Sequence, residues 1–437
     1  MKIAGMNTPL QGKATVPGDK SISHRSIILG ALAQGETKVE GFLAGEDCLA
    51  TIDCFRQMGV KIEQKDDKVT VQGVGLHGLQ KSDKSLYVGN SGTTIRILSG
   101  VLAAQSFVSI IDGDESIRKR PMKRVIEPLK AMGALIFFQT GGRAPLTFKP
   151  AIEGLIGGHH KLEVASAQVK SAILLAGLYS KSAVEIKEPS LSRDHTERML
   201  KDFGVKVEID DKGVITLPVR QQLTGCQITV PGDISSAAFI LAAAAIIPGS
   251  CVTIENVGLN PTRTGIIDVL KAMGADITIE ETSQGAEPIG NITIKYAPLQ
   301  ATNIIKGDII PRLIDEIPAI AVVAATAQGR TVIKDAQELR VKESDRISLL
   351  VEGLKRFGID IEETTDGMEI NGQQGMFTPA TKLLTAGDHR MAMAFAVAGL
   401  KADGQTAFAN DECINVSFPG FSSLFKGLGA QMAEGVK

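Results

Sequence analysis

Hydrophobic and polar positions along the chain fall into one short pattern that recurs six times. It consists of a basic residue, one intervening position, a large apolar residue, Gly, and a small or branched apolar residue. The copies are Arg56-Gln-Met-Gly59-Val, Lys130-Ala-Met-Gly133-Ala, Lys201-Asp-Phe-Gly204-Val, Lys271-Ala-Met-Gly274-Ala, Lys355-Arg-Phe-Gly358-Ile and Lys426-Gly-Leu-Gly429-Ala. Gly59, Gly133, Gly204, Gly274, Gly358 and Gly429 are nearly evenly spaced from one end to the other, so the repeat fills the chain. Each copy reads as a helix C-terminus: a cation suits the negative end of the dipole, and Gly takes the left-handed position that ends the helix. Alternating runs follow, such as Val60-Lys-Ile-Glu, Val205-Lys-Val-Glu-Ile and Ile359-Asp-Ile-Glu, and predict strands with one face exposed. Turns at Asp66-Asp67-Lys68 and Asp210-Asp211-Lys212-Gly213 lead into return strands.

Upstream of each marker glycine, at a nearly constant offset, lies a small-residue turn that opens an apolar helix. These turns are Gly18-Asp-Lys-Ser21, Gly89-Asn-Ser-Gly92, Ala165-Ser-Ala-Gln168, Gly232-Asp-Ile-Ser235, Ile314-Asp315-Glu316 and Gly387-Asp-His-Arg390. The helices after Ser235 and Glu316 are apolar all round, which predicts burial on every side. The repeat therefore reads as β-α-β-α-β-β, one helix buried and the other amphipathic. VPGDKSISHRSIILGALA from Val16 and VPGDISSAAFILAAAA from Val230 align about half a chain apart, close to three repeat lengths. The predicted fold is α/β, with six repeats, three per lobe: one lobe over 19–232, the other over 1–18 with 233–437. Differences between the halves carry function, since Lys20, His24 and Arg25 become Ile234, Ala238 and Phe239.

Composition narrows the class. A chain of 437 residues with 43% hydrophobic and 22% charged residues and a net charge of −2 has a soluble globular profile without general affinity for nucleic acid. Aromatics are 4% with no Trp, too few for base-stacking platforms. Cys48, Cys54, Cys226, Cys251 and Cys413 are odd in number and contain no C-x-x-C, which fits neither a disulfide framework nor a zinc cluster and favours a reducing, cytoplasmic setting. The stretch from Met1 to Lys20 has no apolar core of a secretory signal, and the longest apolar run, Ala237 to Ile247, ends at Pro248. That is well short of the roughly 20 residues a membrane span needs.

Helix N-termini offer free N–H groups and positive dipole ends, a geometry that binds anions. Cations are phased to these turns: Lys20 and Arg25; Arg118, Arg120, Lys123 and Arg124; Arg193; Arg340, Lys342 and Arg346; and Arg390. Local positive focusing in a nearly neutral chain points to small, highly charged ligands.

The motifs VPGDKSISHR, GNSGTTIR, ESIRKRPM, SRDHTERM, LRVKESDR and GDHRMAM resemble, in collinear order over essentially the whole chain, the 5-enolpyruvylshikimate-3-phosphate synthases. The resemblance implies a two-lobed inside-out α/β barrel whose parallel buried helices point toward an interlobe cleft, with lobe closure around the substrates. It implies transfer of the enolpyruvyl group of phosphoenolpyruvate to the 5-hydroxyl of shikimate 3-phosphate, through a tetrahedral intermediate, with no metal or organic cofactor. Carried over by position, Lys20, Ser21 and Arg25 bind shikimate 3-phosphate, with Ser166, Ala167 and Gln168 holding its phosphate and Arg193 adding a cation. Gly92 and Arg120, completed by Arg346 and Arg390, form the phosphoenolpyruvate site, which Lys20 and Gln168 also reach.

Asp315 and Glu343 match the family's acids, and with Lys20 they make up the catalytic set that the resemblance implies. Asp315 is assigned as base on the 5-hydroxyl, aided by Lys342, and Glu343 as acid at the enolpyruvyl carbon. Asp315 also reads as an N-cap of the helix beginning near Ile317. Two departures, Val416 where some members carry Lys and Ile97 where Pro often follows the Arg, together with SRDHTE, resemble the branch of low glyphosate sensitivity. Gly73-Val-Gly-Leu-His-Gly78 satisfies G-x-G-x-x-G but opens no apolar helix, so a nucleotide site is set aside, and His159-His160 has no metal-ligand spacing. The sister enzyme acting on UDP-N-acetylglucosamine is the runner-up. It usually carries Cys, sometimes Asp, in the loop corresponding to 112–124, where this chain has Asp112 and Asp114 and no Cys. A non-catalytic binding protein on the same repeat is the other alternative. A monomer is expected.

Overall fold

The computed structural model describes residues 1–435. The chain divides into two compact units, Gly18–Val230 and Met1–Pro17 with Pro231–Lys437. The first contains helices α1 (Lys20–Leu32), α2 (Glu46–Gln57), α3 (Gly92–Leu102), α4 (Glu115–Lys119), α5 (Lys123–Ala131), α6 (Ala167–Gly177) and α7 (His195–Asp202). Its three four-stranded sheets share one order. In the first, Gln227–Thr229 lies parallel to Gln34–Glu40, which pairs antiparallel with Lys68–Val74, which in turn pairs with Lys61–Lys65. The sheets built on Ser109–Asp112 and on Val184–Lys187 repeat this arrangement.

The second unit contains α8 (Ile234–Ile246), α9 (Gly265–Ala272), α10 (Ile310–Leu313), α11 (Ile317–Ala324), α12 (Arg346–Arg356), α13 (His389–Leu400) and α14 (Phe421–Gly427). Two of its sheets follow the same order. The third has three strands, with Lys2–Ala4 between Gln405–Ala407 and Met432–Ala433. The repeats are therefore not six contiguous blocks. Gln11–Thr15 precedes α1 but pairs with Cys251–Gly258 beside α8, while Gln227–Thr229 precedes α8 but pairs beside α1. The N-terminal strand Lys2–Ala4 supplies what would otherwise be the last strand of the sixth copy.

All six marker glycines have positive φ, from 76° at Gly358 to 106° at Gly429. Each ends its helix with the same two hydrogen bonds. At α2, Gly59 N–H donates to the Arg56 carbonyl at 3.0 Å and Val60 N–H to the Phe55 carbonyl at 3.1 Å, and the pair recurs at Gly133, Gly204, Gly274, Gly358 and Gly429. These bonds satisfy carbonyls that the helix end would leave open.

Every residue of α8, α11 and α13 is buried, and α1 is buried from Ile22 to Leu32. Each unit has its own apolar core. In the first, α3 and α6 approach closely at Gly100, where a Cβ would stand 2.1 Å from the Ala172 carbonyl oxygen. The chain can thus set these two helices side by side, because this position has no side chain.

Candidate active site

Within Gly18–Val230, the buried helix starts are capped by side chains. Asp19 accepts from Ile22 N–H at 2.9 Å on α1, Ser91 from Thr94 N–H at 3.1 Å on α3, and Ser166 from Val169 N–H at 3.4 Å on α6. Capping satisfies one donor per helix and leaves neighbouring N–H groups for ligands. Lys20 is paired with Asp47, and Arg25, 3% exposed, is held by three oxygens. Its Nε donates to Thr196 Oγ1 at 2.6 Å, one Nη to Ser171 Oγ at 2.8 Å and the other to the Ser21 carbonyl at 3.1 Å. That carbonyl places the half-buried Ser21 beside Arg25.

Gln168 links α6 to α3. Its Oε1 accepts from Arg96 at 2.9 Å and its Nε2 donates to Thr93 Oγ1 at 3.0 Å. At Gly92 a Cβ would lie 2.8 Å from an Nη of both Arg120 and Arg96, so the glycine admits two guanidinium groups to the start of α3. Arg120 is buried and donates to Ser116 Oγ at 3.3 Å. Ser166, Ala167 and Gln168 are half-buried on the first turn of α6, and Arg193 is half-buried just before α7. His24 is buried, with Nδ1 2.8 Å from Thr51 Oγ1. Burial, then the charges of Lys20 and Arg25, holds its pKa well below 6.5 and keeps the ring neutral.

In the other unit, three acids and three cations meet. Arg346 is fully buried and spends its fork on carboxylates: Nε to Asp388 at 2.8 Å, one Nη to Asp315 at 3.2 Å, the other to Glu343 at 2.6 Å and Asp388 at 3.3 Å. Lys342 Nζ stands 3.4 Å from Asp315, and Arg390 donates to the Asp315 carbonyl at 2.9 Å. Burial alone would lower the Arg346 pKa, but Asp388, Glu343 and Asp315 reverse this and raise it. Burial opposes ionisation of Asp388, yet Arg346 outweighs it and the carboxyl is held below its usual range.

Asp315 does not cap α11. Glu316 occupies the N-cap position with no capping bond from its side chain, because it is turned to Ser235 Oγ, and Asp315 faces the cations instead. Asp388 is the residue that caps α13, accepting from Arg390 N–H at 2.9 Å.

A model of EPSP synthase (3-phosphoshikimate 1-carboxyvinyltransferase) matches residues 5–424. The chain belongs to the EPSP synthase family. It is 53% identical over 417 residues to the 3-phosphoshikimate 1-carboxyvinyltransferase of Brevibacillus brevis, covering 95% of this chain and 96% of that protein. It is 54% identical over 422 residues to the protein of that name from Desulforamulus reducens, with 95% and 96% covered. A solved EPSP synthase of Acinetobacter baumannii superposes with a TM-score of 0.87 at 47% identity, over 98% of each chain. The chain is therefore a carboxyvinyltransferase of the shikimate pathway to aromatic amino acids.

Sequence reasoning did not single out several residues that EPSP synthase geometry brings to these positions. Asp47 pairs Lys20, Arg96 holds Gln168, Ser171 and Thr196 hold Arg25, and Asp388 holds Arg346. Arg96, Thr196 and Asp388 lie inside the motifs GNSGTTIR, SRDHTERM and GDHRMAM and were within reach. Asp47 and Ser171 carry no local signal. G-x-G-x-x-G at 73–78 ends a strand and opens no helix, as its context predicts. Among the described residues no cluster fit to hold a metal ion occurs, and no helix is long and apolar enough to cross a membrane.

Proposed function

We propose that this chain transfers the enolpyruvyl group of phosphoenolpyruvate to the 5-hydroxyl of shikimate 3-phosphate, with residues of both units serving the reaction. The observation that carries the reading is that one buried guanidinium, Arg346, touches both Asp315 and Glu343, two acids from separate stretches of the sequence. Two carboxylates with different surroundings suit a reaction that needs one proton removed and another supplied.

In the addition step, Asp315 takes the proton of the 5-hydroxyl and Lys342 beside it offsets the charge. The oxygen bonds to C2 of phosphoenolpyruvate as the C2–C3 π pair takes a proton from Glu343 at C3. The tetrahedral adduct then collapses: a methyl proton returns to Glu343, the C2–C3 double bond re-forms, and the C2–O bond breaks to release phosphate. Lys20, Ser21, Arg25, Ser166, Ala167, Gln168 and Arg193 hold shikimate 3-phosphate. Lys20, Gly92, Arg120, Gln168, Arg346 and Arg390 hold phosphoenolpyruvate. Guanidinium forks suit a phosphate and a carboxylate. For Arg346 to meet an anion, Glu343 or Asp315 must release an N–H, which couples phosphoenolpyruvate binding to freeing of the acids.

The finer architecture in this reading is the two-lobed inside-out α/β barrel with three repeats per lobe. One lobe, over 19–232, carries most shikimate 3-phosphate contacts; the other, 1–18 with 233–437, carries the acids and the phosphoenolpyruvate arginines. None of the five cysteines is in a disulfide, in keeping with a reducing cytoplasm, and each unit burying its own core is in keeping with a monomer. The test is phosphate release from phosphoenolpyruvate in metal-free buffer, with shikimate 3-phosphate or UDP-N-acetylglucosamine as acceptor. Release with the former alone is expected; release with the sugar nucleotide alone, or with neither, overturns the reading.

A further inference from the structure

Lys170 has no part in the chemistry above, yet it is fully buried on α6, just past Ala167. Its ammonium lies 2.8 Å from Glu188 and 2.8 Å from Glu197, both buried, and 3.5 Å from the Ser192 carbonyl. Glu188 in turn accepts from Ser192 N–H at 3.4 Å. These bonds grip both polar groups of the peptide residue immediately before Arg193. The next residue on α6, Ser171, lies 2.6 Å from Thr196, the residue before Glu197, and both hydroxyls touch Arg25.

Two adjacent pairs thus tie the first turns of α6 and α7 together, Lys170 to Glu197 and Ser171 to Thr196. A buried charge triad is poor evidence of stability, because desolvation opposes the gain from pairing, whereas its directional bonds fix geometry. Apolar packing alone would hold α6 against the 188–197 segment without setting the angle at which Arg193 and Thr196 face the α6 start.

We propose that Lys170, through Glu188 and Glu197, is a positioning residue that sets Arg25, Arg193 and the 166–168 turn in register for shikimate 3-phosphate. The inference rests on the assignment of those residues to that substrate.

The test measures kcat and both KM values for Lys170→Met, for the charge-free triple variant Lys170→Met/Glu188→Gln/Glu197→Gln, and for Arg25→Ala as control. The triple variant guards against misfolding, since a buried ionic triad replaced as a whole leaves no uncompensated charge. Circular dichroism establishes that each variant is folded. Lys170→Met and the triple variant are expected to raise KM for shikimate 3-phosphate by about tenfold and KM for phosphoenolpyruvate, which meets this turn only through Gln168, by clearly less, while kcat stays within about twofold. Three outcomes overturn the inference. If the folded triple variant keeps a normal shikimate 3-phosphate KM while Arg25→Ala raises it, the positioning role fails and the site assignment stands. If Arg25→Ala also leaves that KM unchanged, the assignment itself fails. A loss of activity in proportion to the folded fraction, with both KM values unchanged, assigns the triad to stability alone.

Discussion

Arg390 and Asp315 meet at two points: Nη1 donates to the Asp315 main-chain carbonyl at 2.9 Å, and Nη2 lies 3.9 Å from its carboxylate. The first contact fixes the backbone and the second biases the side chain, so the carboxylate is aimed rather than left to rotate. An aimed carboxylate beside Lys342 is what a base on a substrate hydroxyl requires. Asp315→Asn keeps the shape and removes the basicity. Its kcat is expected to fall by about 10²- to 10⁴-fold with both KM values changed much less, measured by steady-state phosphate release. A kcat within about threefold of the parent enzyme overturns the base assignment.

Glu343 is assigned to C3, and isotope reports on that atom. Turnover in D₂O places deuterium in the vinyl group of the product when a methyl group forms and loses a proton at random. Glu343→Gln is expected to cut kcat by about 10²-fold or more, and single-turnover quench should show little labelled methyl intermediate. Unaltered label incorporation moves the acid elsewhere.

His24 makes stability depend on pH. Its folded pKa is depressed by burial and by Lys20 and Arg25, so the unfolded chain binds a proton that the folded chain rejects. Stability is therefore present above pH 6.5 and declines as pH falls from there toward the depressed folded value, with a slope of at most about 1.4 kcal/mol per pH unit from this residue. His24→Asn, which does not titrate, is expected to flatten the fall in midpoint between about pH 7 and 5 in urea titrations. An unchanged pH slope in the variant removes His24 as its source.

Gly100→Ala is expected to destabilise the chain by about 1–3 kcal/mol, because its methyl group would meet the Ala172 carbonyl and push α3 from α6. Gly92 and Gln168 sit on the first turns of those two helices, so KM for both substrates should rise along with the loss of melting temperature. A melting temperature equal to the parent's would show that the helices can separate at no cost.

The helix ends were legible from sequence because a Schellman turn is made by residues close together along the chain, so cation, apolar residue and glycine record it locally. Burial of α8 and α11 was legible for the same reason: no face of either helix is polar. The strand exchange at 11–15 and 227–229 was not, since short strands in both halves look alike and their partners lie far along the chain. Asp315 read as a cap because Asp before an apolar run usually is one; the cations that turn it away come from Lys342, Arg346 and Arg390. Lys170, Glu188 and Glu197 each look like ordinary surface charges, and only folding reveals that all three are buried.

The strand pairings set an order for synthesis. Gly18–Val230 is one continuous stretch whose sheets find every partner within it, so it can fold while the ribosome is still making the rest. Gln11–Thr15 must wait for Cys251–Gly258, and Lys2–Ala4 for Gln405–Ala407 and Met432–Ala433. Strands made before all of Gly18–Val230 are thus among the last to settle, and their edges stay exposed to chaperones or to wrong partners until those distant segments are made.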